Sequence, residues 1–150
     1  MALKTFKPYT KSTRGTILVD RSHLWKGKSE KTLTKKMHRA VGRNNQGRIT
    51  SRHRSAGHKK KYRKIDFIRN YDSIGIVTSI EYDPYRTAFI ASVYDLLNHS
   101  YFYMIAPKNL KIGHIVKSGS NAEPKLGHSL LLTKIPVGSF IHNISIKKII

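Results

Sequence analysis

The sequence predicts an all-β protein, a small five-stranded barrel preceded by a long, extended, basic N-terminal arm. Two observations carry that expectation. Residues 1–70 hold 21 Lys and Arg against 3 acids, a net of +18, whereas residues 71–150 hold 8 against 5, a net of +3. The basic half shows neither the i, i+3, i+4 rhythm of a helix face nor a sustained strand alternation, while the near-neutral half is a series of short β-rich runs broken by turn residues. The division is therefore drawn as an arm over residues 1–69 and a barrel over residues 70–150.

Within the arm, Lys35–Lys64 is the extreme: thirty residues with twelve Lys and Arg and no carboxylate. Its few apolar residues (Met37, Ala40, Val41, Ile49, Ala56, Tyr62) are scattered, and Gly42, Gly47 and Gly57 interrupt any regular element. A short helix over Thr32–Ala40 is the one local element it offers. Such a segment buries too little apolar surface to offset the entropy of ordering it, so it is expected to be disordered alone and ordered by a partner.

The barrel strands follow in order. Ser73–Tyr82 alternates, with Ile74, Ile76, Thr78, Ile80 and Tyr82 on one face. Asp83-Pro84-Tyr85-Arg86 is a turn, Pro84 fixing φ. Thr87–Tyr94 is the second strand, Leu97–Ser100 the next turn, and Tyr101–Ile105 the third strand. A short fourth strand fits His114–Lys117, and after a looping stretch with Pro124, Gly127, Pro136 and Gly138 a fifth fits Ser139–Ile146. Five short strands with one long connection are the pattern of a small closed barrel.

Composition narrows the function. A formal charge of +21 on 150 residues calls for a polyanionic partner: nucleic acid, an anionic membrane surface or an acidic polysaccharide. With no cysteine, disulfides and thiolate metal sites are excluded. Apolar runs such as Ile144–Ile150 fall far short of the ~20 residues of a spanning helix, and no secretory signal opens the chain. Residues 1–19 carry no acid, as organelle transit peptides do, but lack amphipathic spacing. Catalysis finds no support, because Asp66, Asp72, Glu81 and Asp83 lack a paired-carboxylate spacing and the eight histidines form no metal-binding motif. The expectation is a protein that is not an enzyme and needs no cofactor, with magnesium ions nearby only where its polyanionic partner is an RNA that carries them.

Five blocks then stand in order: GRNNQGRIT (Gly42–Thr50), GHKKKYRKIDF (Gly57–Phe67), IEYDPYRTAFIA (Ile80–Ala91), IAPKNLKIG (Ile105–Gly113) and IPVGSFIHNI (Ile135–Ile144). Together they closely resemble the N-terminal half of the universal large-subunit ribosomal protein two family, from about Leu24 onward. The resemblance implies an OB-fold barrel, a structural role in the large ribosomal subunit on its ribosomal RNA, and contacts with other large-subunit proteins; it implies no membrane and no homo-oligomer. Departures are visible. Where the family has three glycines between Arg54 and His58, this chain has Ser55, Ala56 and Gly57, and Tyr85 replaces the usual Asn. The family continues into a second, SH3-like barrel bearing its histidine near the reaction centre, whereas this sequence stops at Ile150. Two expectations follow: a split form whose second half is a separate chain, or a truncated form whose second half is lost and replaced by other proteins, with Ile144, Ile146, Ile149 and Ile150 docking on another polypeptide. The Leu24-Trp25-Lys26-Gly27-Lys28 segment is similar to alphaproteobacterial members, and the richness in Ile, Lys, Asn and Tyr fits an AT-rich genome. Both point to a mitochondrial ribosome in the matrix, with the bacterial cytoplasm as the alternative.

The candidate RNA-binding residues follow from their chemistry. Guanidinium forks bridge phosphate oxygens and ammonium groups act as point charges, which selects Arg39, Arg43, Arg48, Arg52, Arg54, Lys59, Lys60, Lys61, Arg63 and Lys64. Asn44, Asn45 and Gln46 offer hydrogen bonds to base edges and 2′-hydroxyls. His53, His58 and Tyr62 offer stacking faces. Arg86, following the tight turn between two strands, is a candidate with an ion pair to Asp83 or Glu81 as its competing role, and Arg69 and Lys108 are candidates at the barrel's edge. The tyrosines Tyr82, Tyr94, Tyr101 and Tyr103 suit a stacking face or the hydrophobic core. Two other readings compete: an unattached OB-fold single-strand binder or chaperone, and a cationic protein for membranes or polysaccharides. The second has neither an amphipathic helix nor a secretion signal to support it.

Overall fold

The structure, a computed structural model, describes residues 3–37 and 39–145. The described residues form eight strands: β1 (Leu3–Thr5), β2 (Ile17–Val19), β3 (Thr34–Lys36), β4 (Lys61–Arg63), β5 (Ser73–Glu81), β6 (Ile90–Asp95), β7 (Ser100–Ile105) and β8 (Ile115–Ser118). The one helical turn among the described residues is a 3-10 turn over Leu132–Lys134. The all-β class stands as expected.

The principal sheet has the order β7-β6-β5-β8, with every neighbouring pair antiparallel. Its two tight connections begin the same way, with a buried aspartate at the end of the preceding strand or just after it. Asp83 accepts from the Tyr85 N–H at 2.9 Å, and Asp95 accepts from the Leu97 N–H at 3.0 Å and the Asn98 amide at 2.7 Å. A carboxylate that satisfies turn N–H groups is a strong, charge-assisted acceptor, which is why the turn signals in the sequence were reliable.

The core is assembled by β6, β7 and their neighbours: Val77, Ala91, Val93, Phe102, Met104, Leu110 and Val116 pack as one cluster. Each large apolar side chain there contributes about 1.5–3 kcal/mol by leaving water. The alternation expected for the first barrel strand is real, but its phase is opposite to a hydrophobic-inward reading. Ser73, Gly75, Val77, Ser79 and Glu81 are buried on β5, whereas Ile74 and Thr78 are exposed and Ile76 and Ile80 half-buried. The reason is space. A side chain at Gly75 would run into Val93 and the Tyr94 carbonyl, so β5 passes that point with glycine and turns mostly small residues inward beside Val77, while β6 and β7 supply most of the volume. Thr78 sits at a register shift against β6 and bonds the Ser92 carbonyl at 3.0 Å, a bulge that sharpens the local twist.

Two expectations are corrected. Ser139–Ser145 forms no strand, and Ile146 lies outside the described residues. The sheet edges are met instead by single parallel bridges, Ile65 to Tyr103 on β7 and Ser129 to Ser118 on β8. Proline and glycine at 136 and 138 precede that segment, and a short β-branched run has no ladder unless an edge is open to it. The helix offered at Thr32–Ala40 is replaced by β3, which pairs Thr34, Lys35 and Lys36 with Arg63, Tyr62 and Lys61. That pairing joins residues at opposite ends of the cationic stretch, so no local pattern announces it. The Lys64 N–H to Leu33 carbonyl bond (2.8 Å) and the Asp66 N–H to Tyr103 carbonyl bond (2.9 Å) continue the ladder onto the sheet.

Candidate nucleic-acid interface

The centre of the cationic stretch is a hairpin-like loop. Arg43 and Ile49 form a bridge, the Asn44 N–H bonds the Arg48 carbonyl at 2.9 Å, and the Gly42 carbonyl accepts from the Thr50 and Ser51 N–H groups at 2.9 and 3.1 Å. Gly42 sits at φ +78°, and a Cβ there would lie 2.7 Å from the Ser51 carbonyl, so only glycine closes the loop. The Asn44 amide oxygen braces the loop by accepting from the Arg48 N–H at 2.9 Å. Asn45 and Gln46 occupy the exposed tip.

Around this loop the arginines converge. Arg39, Arg43 and Arg54 line an open concavity of about 460 Å³ together with Val41, Thr50 and Ser51. Arg43 is braced by the Gly47 carbonyl at 3.0 Å, and Arg39 donates to the Ala56 carbonyl. Arg48, Arg52, His53, His58, Lys59, Lys60, Lys61 and Lys64 are all exposed. The region can hold closely spaced anionic oxygens, since three arginines line one hollow and the stretch contains no carboxylate.

Other candidates are turned toward the protein. Arg63 is half-buried, bonds the Lys61 carbonyl at 2.8 Å, and has a buried Nε without a hydrogen-bond partner. Arg69 is only 8% exposed. It donates to the Gly127 carbonyl at 2.7 Å and the Lys117 carbonyl at 3.3 Å, and its guanidinium lies 5.8 Å from the Phe102 ring centre. Burial pulls the Arg69 guanidinium below its ordinary pKa, against the pull of Asp66. Arg86 takes the ion pair with buried Asp83, donates to the Tyr62 hydroxyl at 3.2 Å, and flanks the Tyr62 and Phe67 rings.

The tyrosines divide as well. Tyr103 is fully buried; Tyr94 and Tyr101 form a cross-strand ring pair at 5.0 Å; and the Arg21 guanidinium covers Tyr82 at 3.7 Å. Among the described residues, no group of three or more His, Cys, Asp or Glu is placed to hold a metal ion, and no helix is long and apolar enough to cross a membrane.

The family described as "Ribosomal Proteins L2, RNA binding N-terminal domain" matches residues 30–118. The chain belongs to this family. It is 53% identical over 148 residues to a large ribosomal subunit protein uL2 from Granulibacter bethesdensis and 54% identical over 150 residues to one from Pelagibacter ubique, in each case across 98% of this chain and 53% of the relative. A uL2m protein from Reclinomonas americana is 50% identical over 147 residues, covering 97% of this chain and 53% of the relative. The chain spans about half the length of the curated relatives it matches.

The L2 match opens and closes at structurally meaningful points. It begins at Glu30, whose N–H bonds the Tyr103 hydroxyl at 3.0 Å, and ends at Ser118, the last residue of β8. It therefore encloses the arginine loop and the whole principal sheet of this L2 domain. Sequence reasoning missed the residues that join the two. Tyr103 contacts Glu81 with its hydroxyl and the arm with its backbone, and Leu24 is buried beside the Trp25 N–H to Ile80 carbonyl bond (2.8 Å). A lone acidic residue closing an Ile-rich strand, Glu81, was the available signal.

Proposed function

We propose that this chain is a structural constituent of the large ribosomal subunit, in which the loop around Gly42 and the Lys59–Lys61 run grip ribosomal RNA while the sheet anchors them. The observation that carries the reading is the identity of about half over 98% of the chain to proteins named as large-subunit uL2. The arginine-lined hollow at Arg39, Arg43 and Arg54 supports it, because an exposed cationic surface with no carboxylate is suited to phosphates. The role is structural and not enzymatic. Of the site residues, Arg43, Arg48, Arg52, His53, Arg54, His58, Lys59, Lys60, Lys61 and Lys64, with Arg39, Asn45 and Gln46, face the RNA. Asn44, Tyr62, Arg63, Arg69 and Arg86 shape and hold that surface.

The same proposal includes a mitochondrial location, supported by the Ile-, Lys-, Asn- and Tyr-rich composition and by the likeness to uL2m. The test is sedimentation of cell extract through a gradient at moderate salt. The chain should travel with the large subunit and keep its 1–64 segment from protease there, and recovery in ribosome-depleted fractions alone would refute the reading.

A further inference from the structure

The turn between β5 and β6 carries an aromatic group with no evident role in the core. Tyr85 is 37% exposed. Its backbone N–H is held by buried Asp83 at 2.9 Å, so the ring projects from a fixed turn. The Tyr62 ring meets it edge-on, with centroids 5.5 Å apart and planes at 73°. Tyr62 is in turn braced by the Arg86 guanidinium, 5.3 Å from its ring centre and bonded to its hydroxyl at 3.2 Å. The Lys60 ammonium lies 5.9 Å from the centre of the Tyr85 ring, and Lys59 and Lys61 are exposed beside it in the chain. The carboxylate of this cluster, Asp83, is fully buried and paired with Arg86, which leaves its outward charge positive.

We propose that Tyr85, steadied by Tyr62 and flanked by Lys60, is a stacking platform for one unpaired nucleobase of the bound RNA. The inference rests on the RNA-binding reading above and adds to it a base-contacting position on the sheet, outside the arginine loop. A nucleobase fits both halves of the site, since its flat face stacks on the phenol ring and its phosphate lies within reach of an ammonium group. An aromatic side chain from another protein would satisfy the ring alone and leave Lys60 without an anion.

The experiment uses the full chain and single-stranded RNAs of about eight nucleotides, each with 2-aminopurine at one position, because stacking on a tyrosine quenches that fluorophore. The unsubstituted chain should quench it. Tyr85→Ala should abolish quenching and weaken binding roughly fivefold to a hundredfold, with the slope of affinity against salt unchanged. Tyr85→Phe should preserve both signals, and Lys60→Ala should keep the quenching while lowering the salt slope by about 0.7. If Tyr85→Ala quenches and binds like the unsubstituted chain, the platform is wrong. If the unsubstituted chain binds large-subunit RNA yet never quenches, the platform falls while the proposed function stands. Failure to bind that RNA at all would remove the proposed function itself.

Discussion

The Tyr103 hydroxyl lies 3.1 Å from both carboxylate oxygens of Glu81, and both side chains are buried. The same hydroxyl accepts the Glu30 N–H at 3.0 Å, so one oxygen ties a sheet carboxylate to the backbone of the arm. Burial pushes the Tyr103 phenol up to about 12, so at ordinary pH it remains a donor.

Removing that hydroxyl should loosen the junction. Tyr103→Phe keeps the packing but leaves the Glu30 N–H and the Glu81 carboxylate each short of a partner, at a cost of about 1–3 kcal/mol. Urea unfolding should show a lower midpoint at an unchanged slope. An unshifted midpoint would mean that water replaces the hydroxyl without loss.

Glu81 gives a pH signature. Desolvation raises its pKa, outweighing the bonds from Tyr103 and Ser79. The folded state therefore holds this proton more tightly than the unfolded state does. Its contribution favours folding most below the ordinary glutamate range and is lost as pH rises from there through the folded pKa. Glu81→Gln should lack that loss, so the stability difference between variant and unsubstituted chain should shift in the variant's favour as pH rises from 4 to 7. A difference that stays flat with pH would contradict the raised value.

Two glycines with nearly the same φ should respond differently. Gly42 and Gly47 sit at +78° and +79°, but a Cβ meets the Ser51 carbonyl only at Gly42 and open space at Gly47. Gly47→Ala should cost only the left-handed strain, about 1 kcal/mol. Gly42→Ala should cost more and should speed amide exchange at Thr50 and Ser51, whose N–H groups bond the Gly42 carbonyl. Equal exchange in the two variants would show that the close contact relaxes without effect.

Exposed and buried arginines should separate in binding assays. Arg43→Ala and Arg48→Ala should each lower the salt slope of RNA affinity by roughly 0.7–0.9, one phosphate apiece, with little change in stability. Arg69→Ala should do the reverse, because its guanidinium bonds the Gly127 and Lys117 carbonyls. The expected loss of stability is about 1.5–3 kcal/mol with the slope intact. A reduced slope for Arg69→Ala would place that side chain on the RNA instead.

The sequence by itself determined the all-β class, the turns at Asp83–Arg86 and Leu97–Ser100, and the separation of a basic segment from a near-neutral sheet. These are local properties: alternation, turn chemistry and charge are written in neighbouring residues. The exposed row of arm cations was legible for the same reason, since a run without acids or apolar periodicity has nowhere to be buried. Only the tertiary structure decided which face of β5 turns inward, because that depends on whether Val93 leaves room opposite Gly75. It alone paired Thr34–Lys36 with Lys61–Arg63, left Ser139–Ser145 without a partner strand, and withdrew Arg69 and Arg63 from the surface. Those outcomes depend on contacts between residues far apart in the chain, and an arginine's residue type is the same whether its guanidinium meets a backbone carbonyl or a phosphate.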